Sequence, residues 1–389
     1  MDATTTLPEP RVRRGSLVPA DPAVSIIVLV TEHTGHLRRC LASIDEHRPA
    51  TPVSEVLVVA NGTAEDELRW LSARDDVVLL AAGVNLGFGG GCNWAATVAA
   101  APRLLFMNDD AVATAGWLDE LGAGLDDDDS VGIAGSRVLL ANGTLQEAGG
   151  VVWRDGTTSG VGRGMDPNAP EYTVVRDVDY VSFCSTMVAR ETWNDVGGFD
   201  PRYFPAYYED TDFCLTARSL GWRVVCVPRS VVIHEEGGST TVSFKRFLTR
   251  RHRELFVAKW AATLAGAEPP PSLTTGQRAV RRALDRTAVT ARGEVTRRRS
   301  RASEPVRHPV PATPAAAVGV DQVWALRRLQ VIDQEFIDAL NLELDVKGPA
   351  TTARRLSRSL RSGAGRLLTR YPRLSHLVRT VIVSVGNRD

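Results

Sequence analysis

Apolar residues fall in short unbroken runs along the first hundred positions. VSIIVLV (Val24–Val30), VSEVLVVAN (Val53–Asn61), VVLLAAG (77–83) and RLLFMNDD (103–110) each carry at least four consecutive apolar side chains, which predicts strands buried on both faces. Between them lie stretches with helical spacing. HLRRCLASIDEH (36–47) sets Leu37, Cys40, Leu41 and Ile44 on one face, and AEDELRWLSAR (64–74) and NWAATVAAA (93–101) follow the later strands. Strand and helix in alternation predict an α/β fold of Rossmann-like type, with a mostly parallel sheet covered on both faces.

The middle of the chain changes texture. From SVGIAGSRVLL (130–140) through VVWRDG (151–156) to DVDYVSFCSTMVAR (177–190), short strands alternate with Gly, Asp and Asn turns, predicting a mixed or antiparallel extension of the sheet. ETWNDVGGFD (191–200) reads as a short helix closed by Gly197 and Gly198. YYEDTDFCLTARSLGW (207–222) predicts a helix from near Glu209 to Gly221, and WRVVCVP and SVVIHEE two closing strands. The predicted organisation is a disordered polar lead over 1–22, one domain over 23–265, a Pro/Arg-rich linker over 266–320 and a helical basic C-terminal region over 321–389. DQVWALRRLQVIDQEFIDALNLEL (321–344) has helical spacing. The tail after it interleaves arginine with leucine and valine and has Asp389 as its acid, a basic amphipathic pattern.

Composition narrows the class. Hydrophobic residues make up 43% and charged residues 24% of 389, which suits folded domains and excludes a disordered or fibrous chain. Lys plus Arg and Asp plus Glu are both 46, so the global balance leaves no footprint for nucleic acid, and no nucleic-acid partner is expected. Five cysteines without CxxC spacing argue against a disulfide framework and fit a reducing compartment. With no apolar secretory core at the N-terminus and no spanning run of about 18 apolar residues, a cytoplasmic protein is expected. The basic tail adds an expectation of peripheral association with the inner face of the cell membrane. Packing of that tail on the catalytic domain or on a partner is the open alternative.

Candidate chemistry concentrates at strand ends. NLGFGGGCN (Asn85–Asn93) is not a dinucleotide fingerprint, because Cys92 stands where the third glycine belongs and the loop follows the third strand. It lacks the Gly-Lys-Ser/Thr of a Walker loop. Two readings stay open: close approach of a ligand to backbone at a helix N-terminus, or a tight turn without a ligand. FMNDDAV places Asp109 and Asp110 directly after an apolar strand, at the edge where ligands bind in open α/β sheets. Paired carboxylate oxygens there suit Mg2+ or Mn2+ bridging to a diphosphate. DDDDS (126–130) has no strand before it and reads as a solvated loop. Glu209, Asp210 and Asp212 open a helix whose positive end favours acids. That end would also keep one of them ionised as a general base toward a sugar hydroxyl. His234, at a strand end before Gly237 and Gly238, could complete a metal site with a carboxylate from the fourth strand.

In order, VSIIVLVTEH, VVAN, NLGFGGGCN, FMNDDA, VGGFDPRYF, YYEDTDFCLTAR and HEEGGST resemble the family 2 glycosyltransferases, especially bacterial rhamnosyl- and galactofuranosyl-transferase-like members, over about residues 24–260. The resemblance implies a GT-A fold, Mg2+ or Mn2+, a nucleotide-diphosphate-sugar donor of dTDP-rhamnose or UDP-sugar type, and inversion at the anomeric carbon. It implies a glycan or lipid-linked cell-envelope acceptor. Residue by residue, it puts Asp110 and His234 on the metal and makes Asp210 the catalytic base, with Glu209 its acidic neighbour. Thr31, Asn61, Asn85, Gly87, Gly90, Asn93, Asn108 and Asp109 fall at the nucleotide-sugar side. The chain departs from the family where an Asp commonly contacts the base, since Ala60 stands there, and has Asn108 at the first position of the metal motif. A non-catalytic nucleotide-sugar-binding regulatory or scaffold protein of the same fold is the competing reading.

Overall fold

The computed structural model describes residues 9–31, 34–236, 241–271, 279–287 and 321–347. The predicted strands and helices of the first half form: β2 (Val24–Val30), α1 (Thr34–His47), β3 (Ser54–Asn61), α2 (Glu65–Ser72), β4 (Val78–Ala82), α3 (Gly87–Val98) and β5 (Arg103–Asn108). β4, β3, β2 and β5 lie side by side and parallel, and their apolar side chains are buried on both faces. The lead contains a further strand, β1 (Arg11–Arg14), antiparallel to β4. This corrects the reading of 1–22 as disordered. RVRR is too short and too basic to stand out in sequence. It is held by its register with β4 and by an ion pair from Arg14 to the buried Glu55 at 3.0 Å.

Beyond β5 the sheet becomes mixed, as the turn-rich middle predicted. β6 (Ala111–Ala113), α4 (Trp117–Asp126), β7 (Val131–Leu140), β8 (Leu145–Glu147), β9 (Gly150–Val152), β10 (Thr158–Gly160), β11 (Arg176–Asp177), β12 (Ser185–Ala189), α5 (Arg190–Val196), α6 (Glu209–Ser219) and β13 (Arg223–His234) follow. The sheet order is β1-β4-β3-β2-β5-β12-β7-β13-β11, with β6 on β13 and β8 on β7. β12 runs antiparallel to β5 and β7, whereas β13 is parallel to β7. The two predicted closing strands are one: β13 continues across Pro228, and a register shift between Val227 and Val231 absorbs the residue that cannot donate to the ladder.

An aromatic stack joins the two motif-bearing elements. Phe106 of β5 stacks on Trp193 of α5 at 4.8 Å, and Trp193 meets Phe213 of α6 at 5.1 Å, so the helix that begins at Glu209 is seated against the strand that ends at Asn108. Asp212 fastens the same helix to α7 (Val242–Ala265) through Lys259 at 2.7 Å and Trp260 at 2.8 Å. Its role is structural.

The chain forms two units. One comprises Met1–Gly237 and Arg253–Gln322 and contains the sheet. The other comprises Gly238–His252 and Val323–Asp389, where Phe244 and Phe247 of α7 pack on Phe336 and Leu340. The boundary expected at 265 therefore falls elsewhere. Part of the expected linker is also ordered: 279–287 forms α8, with Ala283 and Thr287 fully buried. The C-terminal region contributes α9 (Gln322–Lys347), and the basic tail over 348–389 lies outside the described residues. Among the described residues no helix is long and apolar enough to cross a membrane.

Candidate active site

Strand register assembles the first part of the site. β5 ends at Asn108, the chain turns through Asp109 and Asp110, and β6 then pairs antiparallel with the end of β13 so that Ala111 faces His234. Two side chains 124 positions apart thereby meet, with His234 Nε2 2.9 Å from Asp110 Oδ1. The other ring nitrogen, Nδ1, lies 2.9 Å from Oε1 of Gln146. Burial alone would discharge this imidazole. Cys184 and Asp110 raise its pKa to about 11, and since burial keeps the Cys184 thiol neutral, Asp110 is the partner that supplies the charge. Asp109 is pushed up to about 7 by burial and by the charge of Asp110.

Whether this pair fits a divalent cation follows from the donors. Two cis ligands about 2.1 Å from one octahedral Mg2+ stand about 3 Å apart, matching the separation of Asp110 Oδ1 and His234 Nε2. The proton shared between them occupies the place a cation would take. Among the described residues no group of three or more His, Cys, Asp or Glu side chains gathers for a metal, so these two would leave most positions to diphosphate oxygens and water, as Mg2+ and Mn2+ prefer. The residues fit the group.

The second part of the site is the start of α6. Tyr207 and Tyr208 both have positive φ, 79° and 74°, a costly conformation for tyrosine that turns the chain sharply into the helix. Glu209 and Asp210 follow. Burial raises both carboxyl pKa values, and for Glu209 the charge of Asp210 adds to it. This corrects the expectation that the helix end keeps Asp210 easily ionised. Thr211 donates to Asp210 Oδ1 from its backbone N at 2.6 Å and its hydroxyl at 3.2 Å, yet desolvation outweighs both. A raised pKa would suit Asp210 to accept a proton, and Glu209 is pushed up beside it.

Glu147, which the sequence reading passed over, connects the two parts. It is 7% exposed and accepts from Ser182 N at 3.2 Å; burial, with the charge of Asp210, lifts it to about 7. His234 acts on it in the opposite sense, so this carboxyl lies within electrostatic reach of both Asp210 and His234. Its pKa has a sign that can be measured. The native state keeps a proton that the unfolded chain loses above about pH 4.5, so stability falls as pH rises from there to about 7 and is level above. Glu147→Gln is expected to remove about 3 kcal/mol of that fall, read as urea midpoints at about pH 5 and about pH 8. An unchanged slope would contradict it.

NLGFGGGCN is largely not a loop. The helix α3 begins at Gly87, and its glycines make room for protein rather than ligand. A Cβ on Gly87, where φ is +74°, would stand 2.8 Å from Phe204 and from the Pro205 carbonyl, and one on Gly91 would stand 2.3 Å from Leu29. The asparagines are likewise engaged. Asn61 holds Leu86 N (2.6 Å), Asn85 Oδ1 (3.1 Å) and Gly87 O (3.2 Å), while Asn85 Oδ1 also caps Gly87 N at 2.8 Å. Asn93 makes a two-way latch to the Phe199 backbone at 2.8 and 2.9 Å. Asn61, Asn85, Gly87 and Asn93 therefore shape the wall through bonds and packing within the protein. Gly90 is exposed and open, Thr31 is half-buried after β2, and Asn108 sits with Nδ2 3.4 Å from His234 Nε2. Gly87→Ala is expected to cost at least about 2 kcal/mol of stability. Gly90→Ala should cost nothing or add up to about 1 kcal/mol; equal urea midpoints for the two variants would contradict the packing role.

Comparison with known proteins gives a consistent likeness. Residues 25–150 match the model of Glycosyl transferase family 2, and residues 184–296 that of Glycosyl transferase family group 2. The chain is 32% identical over 232 residues to the O-antigen biosynthesis protein RfbC of Myxococcus xanthus, covering 56% of this chain and 18% of that one. It is 28% identical over 263 residues to an N-acetylglucosaminyl-diphospho-decaprenol L-rhamnosyltransferase of Mycobacterium tuberculosis, covering 59% of this chain and 82% of that one. The chain thus spans less than a fifth of RfbC but most of the rhamnosyltransferase. Among solved structures, the mannosyltransferase PcManGT from Pyrobaculum calidifontis, in complex with GDP-Man and Mn2+, aligns at a TM-score of 0.46 and 18% identity over 84% of this chain and 87% of that one.

Proposed function

Since the chain belongs to glycosyltransferase family 2, we propose that it is an inverting, metal-dependent transferase that moves a sugar from a nucleotide-diphosphate sugar to a glycan or lipid-linked acceptor of the cell envelope. One observation carries the reading: Asp110 and His234 stand 2.9 Å apart at the carboxyl edge of the sheet. Glu147 lies within electrostatic reach of His234 and of the half-buried Asp210. A cation bound by Asp110 and His234 would neutralise charge growing on the departing nucleoside diphosphate.

The remaining steps belong to the chain's own residues. Asp210, whose pKa is raised by burial, takes the proton from the acceptor hydroxyl as that oxygen attacks the anomeric carbon opposite the leaving group. Glu209 beside it, its pKa pushed up by burial and by the charge of Asp210, leaves the proton-accepting role to Asp210. α3 and the latches of Asn61 and Asn93 hold the wall against which the nucleoside would rest. The donor proposed is of dTDP-rhamnose or UDP-sugar type, and the name of the rhamnosyltransferase relative, with its diphospho-decaprenol, supports rhamnosyl transfer and a lipid-diphosphate-linked acceptor. Work at the inner face of the cell membrane would suit such an acceptor.

A thermal-shift panel of nucleotide sugars tests the reading. At least one donor should raise the Tm with Mn2+ present and raise it less with EDTA. Absence of any shift across dTDP-, UDP- and GDP-sugars would count against it.

A further inference from the structure

The short strand β8 contains an irregularity with a consequence for the site. It pairs antiparallel with β7 through Val138 opposite Glu147 and Leu139 opposite Leu145, so two residues of β7 face three of β8 and Gln146 is the extra one. This is a β-bulge, a feature that re-aims a side chain out of the regular pleat. Leu145, Gln146 and Glu147 are consecutive and all buried, at 0%, 7% and 7% exposure, which regular alternation would not require. The side chain so redirected ends with Oε1 2.9 Å from Nδ1 of His234.

We propose that Gln146 is a positioning residue for the cation site, acting through His234. The imidazole can offer the lone pair of Nε2 to a cation only if its proton sits on Nδ1. A carbonyl oxygen facing Nδ1 enforces that tautomer and fixes the plane of the ring. Gln146 thus selects the metal-binding form of His234 and aims Nε2 at Asp110 Oδ1, 2.9 Å away. The bulge is what lets a residue in that strand reach the ring. This inference rests on the reading of Asp110 and His234 as the cation ligands.

Mn2+ affinity of the full chain, measured by electron paramagnetic resonance of the free ion without donor or acceptor, tests it independently of turnover. Gln146→Leu removes the acceptor and should weaken Mn2+ binding by about 10- to 100-fold. Gln146→Glu, an acceptor of the same length, should stay within about 3-fold of wild type or bind more tightly. In a His234→Ala background, Gln146→Leu should have no further effect, since its route to the cation is gone. Equal affinity of wild type and Gln146→Leu would overturn the inference alone. So would a Glu variant as weak as the Leu variant, or the same loss with His234 already removed. No Mn2+ binding by wild type would overturn the cation assignment and this inference together.

Discussion

Asp210→Asn is expected to lower the turnover of sugar transfer by about 10²- to 10⁴-fold while leaving donor affinity intact. The amide keeps the shape of the carboxyl and can still accept from Thr211, whose N and Oγ1 stand 2.6 and 3.2 Å from Asp210 Oδ1, so the start of α6 should not unravel. What is lost is the ability to take a proton. Because burial raises the pKa of Asp210, the wild-type rate should climb with pH through a value above the ordinary aspartate range and then level off. Below that value the base is protonated and silent. Glu209→Gln, by contrast, should leave the pH profile in place, since burial rather than Glu209 is what raises the pKa of Asp210. Transfer rates for Asp210→Asn within about 3-fold of wild type would show that the proton goes elsewhere.

The second large effect concerns the pair at the sheet edge. His234→Ala and Asp110→Asn should each lose transfer by about 10³-fold, the several kcal/mol that a cation contributes at a diphosphate leaving group. Mn2+ affinity should fall in both. The double variant should be scarcely worse than either single one, because on this account the two side chains would hold one ion, and they share one 2.9 Å contact. Additive losses would separate them into independent roles.

Much of this arrangement was legible in the residues, and the part that was not has physical reasons. Continuous apolar runs marked β2, β3, β4 and β5 because strands buried on both faces leave no room for alternation. Asp110 and His234 could each be marked as candidates because each follows such a strand. Their meeting depends on β6 pairing with β13, a contact across more than a hundred residues. Glycines in α3 misled because helix propensity argues against them, whereas Phe204 and the Pro205 carbonyl crowd Gly87 and Leu29 packs closely on Gly91. That Asn61 and Asn93 also latch the backbone of Leu86 and Phe199 could not be read from a string of letters. Gln146 carried no signal at all. Its importance comes from a register shift, and register is a property of two strands together. Glu147 was hidden likewise, an acid whose burial is set by β10 and by Ser182 rather than by its own neighbours in sequence.

The most direct measurement follows transfer of sugar from a nucleotide-sugar donor identified by thermal shift to a lipid-diphosphate-linked saccharide, in three parallel reactions: wild type with Mn2+, wild type with EDTA, and Asp210→Asn with Mn2+. Product with inverted anomeric configuration is expected in the first reaction and almost none in the other two. Equal product in all three would contradict the metal dependence and the role of Asp210, and no release of nucleoside diphosphate in any would contradict a transferase and leave a protein that binds the donor without turning it over.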